Sequence, residues 1–145
     1  SQSGAGFGPG SVRVAAEQLV IEDGGSVDLT TNDGTGGAGR LEVEVDRLEI
    51  GGAFSQLRSV TTRAGDGGAI AVRAREIRLR DEGRIVSESV ASPSLDVGSN
   101  GAIRLEADGI GLESGADVLS VTNDAGAGGD VTLQAGRLSL AGRSR

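Results

Sequence analysis

The feature that most constrains this chain is a short motif, glycine–any–apolar–any–apolar, which occurs five times. It begins at Gly10, Gly39, Gly68, Gly101 and Gly129, so successive copies are 29, 29, 33 and 28 residues apart. A repeat of this length is typical of a solenoid, in which no single unit can bury its apolar face without its neighbours. Residues 1–145 are therefore interpreted as one stack of coils, a segment of a longer solenoid, with coils starting near 10, 39, 68, 101 and 129.

Apolar and polar residues alternate within each repeat, as they do in half-buried strands. In 67–89 the apolar series is Ile70, Val72, Ala74, Ile77, Leu79 and Ile85, and the charged series is Arg73, Arg75, Arg78, Arg80 and Arg84. Small hydroxyl residues recur in two further columns, Ser59, Ser87 and Ser120, and Thr31, Thr61, Ser89 and Thr122. Matching columns require each strand to pair with its own copy one repeat later. We predict an all-β fold, a right-handed single-stranded parallel β-helix with three short strands per coil of about 29 residues.

Charged residues support this pairing, because coils stacked about 4.8 Å apart would bring opposite charges together. The expected neighbours are Arg73 with Glu44 and Glu106, Arg75 with Asp46 and Asp108, Arg78 with Glu49, and Arg80 with Glu113. Each buried aliphatic side chain contributes about 1.5–3 kcal/mol, whereas an exposed charge pair contributes about 0.2–1 kcal/mol. The aliphatic columns should hold the coils together, and the charges should select their register.

Composition excludes several kinds of site. The chain has no Cys and no His, which removes disulfides, thiolate metal sites and an imidazole base for a serine nucleophile. A net charge of −7 disfavours binding to nucleic acid. No apolar run approaches the roughly 18 residues of a transmembrane helix. We expect no nucleic-acid partner and no membrane insertion.

Glycine-rich turns could indicate two kinds of binding site, a calcium-binding repeat or a phosphate-binding loop. Calcium-binding nonapeptide repeats need a nine-residue period with an Asp in each turn, but Asp33, Asp66 and Asp124 do not share a column. Phosphate-binding loops need a Lys and a following helix, and the sequence has neither pattern. We expect no metal and no cofactor.

The longest connection between coils is VASPSLDVGSN at 90–100, and loops of this kind usually carry the function of a solenoid. Its candidate contact residues are Val90, Ser92, Pro93, Ser94, Asp96, Ser99 and Asn100. The alternative is a polysaccharide lyase or hydrolase site on the charged face, built from Glu44, Asp46, Glu106, Asp108, Arg73 and Arg75. Arginine neighbours would hold these carboxylates ionised rather than raise their pKa for acid catalysis. We therefore predict no catalytic residues.

The pattern GGxIxVxAxxIxLxxGxxIxSxS resembles the haemagglutinin-like repeats of two-partner-secretion exoproteins, the filamentous haemagglutinin family. It is clearest in GGAIAVRAREIRLRDEGRIVSES at 67–89 and GGDVTLQAGRLSLAG at 128–142. The resemblance implies an adhesin shaft that is secreted or held at the cell surface of the bacterial outer membrane. Its implied partners are an outer-membrane transporter and a host surface, a neighbouring cell or a glycan. Nothing in 1–39 resembles the family's Asn-Pro export motifs, so the segment would be shaft, and a spacer without any ligand fits the sequence equally well.

Overall fold

A computed structural model describes residues 2–3, 10–31, 39–62, 67–90, 101–122 and 128–145. The described chain is all β, and its parallel strands stack as a β-solenoid of about four turns, about 29 residues apart. The predicted parallel β-helix is confirmed. The strands are β1 (Gln2–Ser3), β2 (Ser11–Ile21), β3 (Ser26–Thr31), β4 (Arg40–Gly51), β5 (Gln56–Thr61), β6 (Ala69–Arg73), β7 (Glu76–Arg80), β8 (Arg84–Ser89), β9 (Ile103–Leu112), β10 (Asp117–Thr122) and β11 (Val131–Leu140).

The strands form two parallel sheets. One has the order β11-β9-β6-β4-β2, with β7 also pairing with β4 and β9, and the other has the order β1-β3-β5-β8-β10. Each strand pairs with its counterpart one repeat away, so Leu41 lies between Val12 and Ile70. On the third strands, Ser87 likewise lies between Ser59 and Ser120. The columns read from the sequence are therefore the hydrogen-bonded columns of the fold.

The first two strands of each repeat differ from the prediction of separate short strands. They run as one continuous strand in β2, β4, β9 and β11, and only the third repeat is divided, into β6 and β7. A bend is still present, because the pairing of β4 stops at Glu44 and resumes at Arg47. Asp46 and Arg47 are both exposed there, while the neighbouring Val45 and Leu48 are buried. Two successive outward residues turn the chain while keeping apolar residues inside on both sides of the bend.

Stacked aliphatic columns form the core. The fully buried side chains are Leu29, Leu41, Leu48, Ile50, Leu57, Ile70, Ile77, Leu79, Ile85, Ile103, Leu105 and Leu112. The alanine column is less buried than predicted. Ala74 and Ala107 lie beside the bend, and their side chains are only partly buried against this core.

The third face of the solenoid is narrow and lined by small hydroxyl residues, as predicted. Ser59, Ser87 and Ser89 are buried there. Two of the glycines that begin a repeat contact this column. The Gly68 carbonyl accepts a 3.4 Å hydrogen bond from Ser87 Oγ, and the Gly129 amide donates a 3.0 Å hydrogen bond to Ser120 Oγ. A Cβ added to Gly68 would overlap Ser59 Oγ. Because glycine lies just before the strands of one sheet and serine on those of the other, the two sheets approach closely where these two columns meet.

The glycine column provides a test of how closely successive coils approach at the start of each repeat. A Cβ on Gly101 would overlap the backbone carbonyl of Gly68, whereas one on Gly109 would meet no atom within 4 Å. Gly101→Ala should therefore lower the free energy of unfolding by about 1–3 kcal/mol, and Gly109→Ala should leave it unchanged or raise it by about 0.4–1 kcal/mol. Urea unfolding followed by circular dichroism measures both, and equal losses would contradict the close approach.

Inward and outward positions of β7 provide a second test. Ile77 is fully buried, so Ile77→Ala should cost about 2–5 kcal/mol of stability. Arg78 is half exposed and pairs with Glu76 at 3.3 Å, so Arg78→Ala should cost less than about 1 kcal/mol. The same unfolding experiment compares the two variants, and a larger loss in Arg78→Ala would reverse the assignment of the faces.

Candidate functional site

The charged columns lie on the outer face of the six-stranded sheet that contains β4, β6, β7 and β9. At its centre, Arg73 Nε donates to Glu106 Oε2 at 2.8 Å and Arg104 Nη2 donates to Glu106 Oε1 at 2.7 Å. These hydrogen bonds hold the pKa of Glu106 below its ordinary value, that of Arg104 having the larger effect. Glu106 is therefore ionised at neutral pH and is a poor proton donor for acid catalysis.

Other predicted charge neighbours are only partly reproduced as ion pairs. Arg75 pairs with Asp46 at 3.5 Å, as expected. Glu44 is the register neighbour of Arg73, but its ion pair is with Arg13 of the preceding coil, at 3.4 Å.

Arg80 departs from the prediction, because it pairs with Glu49 and Asp81, both at 2.9 Å, instead of Glu113. The cause is Gly51, which lies in register with Arg80 and leaves room for the arginine side chain to cross it towards Glu49. The hydrogen bond to Glu49 is the main cause of the raised pKa of Arg80. Arg78 is the register neighbour of Glu49 as predicted, but its ion pair is with Glu76.

Asp108 differs from the other acidic candidates on this face. Its expected partner Arg75 turns to Asp46, and within the described part of the chain Asp108 has no ion-pair partner within 4 Å. With Arg73, Glu106 and Gln134 it lines a shallow depression of about 520 Å³. In this depression a polar ligand could meet both an arginine and a carboxylate that is unpaired within the described residues.

Of the predicted contact loop, the structure describes Val90 alone. Val90 follows β8, its side chain is exposed, and its amide donates to the Thr61 carbonyl at 2.8 Å. This bond places the start of the loop at the end of the third strand. The other predicted contact residues, Ser92, Pro93, Ser94, Asp96, Ser99 and Asn100, lie outside the described residues.

Sequence reasoning missed the row of turns that joins the second strand of each repeat to the third. We call this row the turn ridge and define it as residues 22–25, 51–55, 81–83 and 113–116. Its residues at positive φ are Asp23, Gly24, Gly52, Phe54, Asp81, Glu82, Ser114 and Gly115. Phe54 also has a side chain that is 84% exposed. The available signal was an aromatic residue, rare in this chain, directly after a Gly-Gly-Ala turn.

In the described ranges, no three acidic side chains are close enough to hold a metal ion together. No helix in those ranges is long and apolar enough to cross a membrane.

Comparison with known proteins gives no relative. No protein-family model matches the chain, and no curated protein and no solved structure matches it. The resemblance to filamentous haemagglutinin repeats therefore stays a prediction, as do the activity, partners and location that it implies.

Glu106 yields a pH-dependent prediction. Its pKa in the folded protein lies below the ordinary value of 4.5, so it stabilises the fold above that pH and loses this effect as the pH falls through the lowered pKa. Glu106→Gln should be less stable than the wild type at pH 7, and the difference should be smaller at pH 3, which lies below the ordinary pKa. Urea unfolding at both pH values measures it.

The matched control is Asp108→Asn, which removes an exposed carboxylate on the same strand that has no arginine partner in the described structure. It should change stability less than Glu106→Gln at pH 7. A loss in Glu106→Gln that is equally large at pH 3 and pH 7 would contradict the role given to the ionised carboxylate.

Proposed function

We propose that this chain is a non-catalytic shaft segment of a secreted or cell-surface adhesin, which displays loops for contact with a surface or glycan. The observation that carries the proposal is the continuity of the stack. The column Val12, Leu41, Ile70, Ile103 and Val131 runs through every repeat by direct strand pairing. Because each repeat contacts only its neighbours, such a stack extends along one axis and forms a rod.

Ion pairs between successive coils support a mechanical role. Arg47 pairs with Glu76 at 3.3 Å and Arg58 with Glu88 at 2.6 Å, so each sheet has at least one such link. The Arg58–Glu88 pair is partly buried, which lessens its screening by salt. These contacts join coil to coil along the axis of the rod.

The resemblance to filamentous haemagglutinin repeats supplies the biological setting of the proposal. It suggests export by an outer-membrane transporter and a place at the surface of a bacterial cell. The proposed partner is a host or neighbouring-cell surface, or a glycan on it. The proposed contact is the loop at 90–100, because it interrupts an otherwise regular spacing of repeats.

The second candidate is a polysaccharide lyase or hydrolase on the charged face. The specific observation in its favour is Asp108, a carboxylate without an ion-pair partner in the described ranges, which shares a depression with Arg73 and Gln134. Against it stands Glu106 in the same depression, because its two arginine partners lower its pKa, whereas acid catalysis needs a carboxyl whose pKa is raised.

Turnover and binding on one panel of acidic and neutral polysaccharides separate the two candidates. The proposal predicts no new reducing ends and no unsaturated product. It also predicts glycan or cell-surface binding that is lost when 91–99 is replaced by a Gly-Ser linker of equal length. Product formation that Asp108→Asn abolishes would establish the enzyme instead. Binding that survives the loop replacement would contradict the assignment of the contact to this loop.

A further inference from the structure

Phe54 is presented to solvent at a strained position of the turn ridge. Its φ is 67°, and its side chain is 84% exposed. A bulky residue at positive φ is an outlier that the surrounding structure must hold in place. Positive φ recurs in every turn of the ridge, as at Asp23 and Ser114. What distinguishes Phe54 is therefore a large apolar ring that this turn geometry leaves in solvent.

The neighbouring Ser55 fixes this turn to the coils on both sides. Ser55 is fully buried, and its Oγ accepts a 3.1 Å hydrogen bond from the Gly24 amide in the preceding coil. Its carbonyl accepts a 3.0 Å hydrogen bond from the Arg84 amide in the following coil, and its own amide donates to Gly52 at 3.1 Å. The backbone of Phe54 is thus anchored while its ring remains available for contact.

The same ridge carries carboxylates that the arginines of the strand faces do not neutralise. Glu22 and Asp23 lie one coil before Phe54, and Glu82 lies one coil after it, all exposed. None of these three has an ion-pair partner within 4 Å in the described part of the chain. Arg80, at the edge of the ridge, is already held by Glu49 and Asp81. An exposed aromatic ring is therefore flanked along the axis by uncompensated negative charge.

We propose that the turn ridge centred on Phe54 binds an arginine- or lysine-bearing segment of a partner protein. A cationic side chain is attracted to the face of an aromatic ring, and the coil spacing of about 4.8 Å places acidic turns directly before and after that ring. Arginine suits the site better than lysine, because its planar guanidinium both stacks on a ring and bonds to carboxylates.

This inference adds a second contact surface to the proposed display rod. It rests on the proposed function only in that the rod must be displayed. The two contact surfaces are otherwise independent, because the turn ridge joins the second strand of a repeat to the third, whereas the loop at 90–100 follows the third strand. The test below uses no glycan, so the loop can fail as a glycan contact while the ridge binds its peptide, or the reverse.

The probe is a fluorescein-labelled ten-residue peptide of alternating glycine and arginine, with binding to the 145-residue chain followed by fluorescence anisotropy at low and moderate salt. Phe54→Ala should weaken binding about three- to fivefold, and Phe54→Trp should preserve or tighten it. Glu82→Gln should weaken binding about twofold or more and should reduce its dependence on salt. Because Phe54 and Glu82 are exposed, all three variants should keep the β circular dichroism of the wild type.

The matched control is Glu17→Gln, which removes one exposed carboxylate on the first sheet, away from the ridge. It should change the affinity for the peptide less than Glu82→Gln does. Wild-type affinity in Phe54→Ala, or an equal loss in Glu17→Gln and Glu82→Gln, would mean that net charge alone attracts the peptide and would overturn the proposal. A neutral glycan that binds through Phe54 while the peptide does not would also overturn it.

Discussion

Parallel pairing of each coil with the next is the interaction on which the rest of this structure depends. It places like residues over like residues about 4.8 Å apart, so that Leu48, Ile77 and Ile110 form one column and Ser59, Ser87 and Ser120 another. In the described residues, regular aliphatic columns fill the interior without aromatic side chains, so Phe54 can be exposed at no cost to the core. A shift of one residue in any strand would turn its apolar side chains outwards, so the register is strongly specified.

Charge and backbone strain are distributed differently between strands and turns. On the strands, arginines such as Arg47 and Arg73 pair with carboxylates of neighbouring coils, which balances much of the charge there. On the turn ridge, Asp23 and Glu82 combine a positive φ with a carboxylate that has no ion-pair partner within the described residues, whereas Asp81 pairs with Arg80. The strands therefore account for the stability of the rod, and the turns and loops carry the surfaces that we propose for partners.

The sequence alone was sufficient for the columns, because a repeat of fixed length with period-two alternation has few ways to bury its apolar residues. It was insufficient for details that depend on local geometry. The continuous strand through Asp46 and Arg47 depends on how sharply the chain bends, and the choice of Glu49 by Arg80 depends on the space above Gly51. Phe54 was missed because a turn residue belongs to no column, so neither period nor alternation indicated its exposure.

The most direct test of the stacked architecture is the distance between spin labels at Arg13→Cys and Thr132→Cys, in a chain that has no other cysteine. Both positions belong to one outward column, linked through Glu42, Ala71 and Arg104. Four coil spacings separate them, so double electron–electron resonance should give a single distribution of label–label distances centred at about 20 Å. The flexible label linkers broaden this distribution. An antiparallel meander in chain order would place the labels more than about 40 Å apart, and that result would contradict the parallel solenoid.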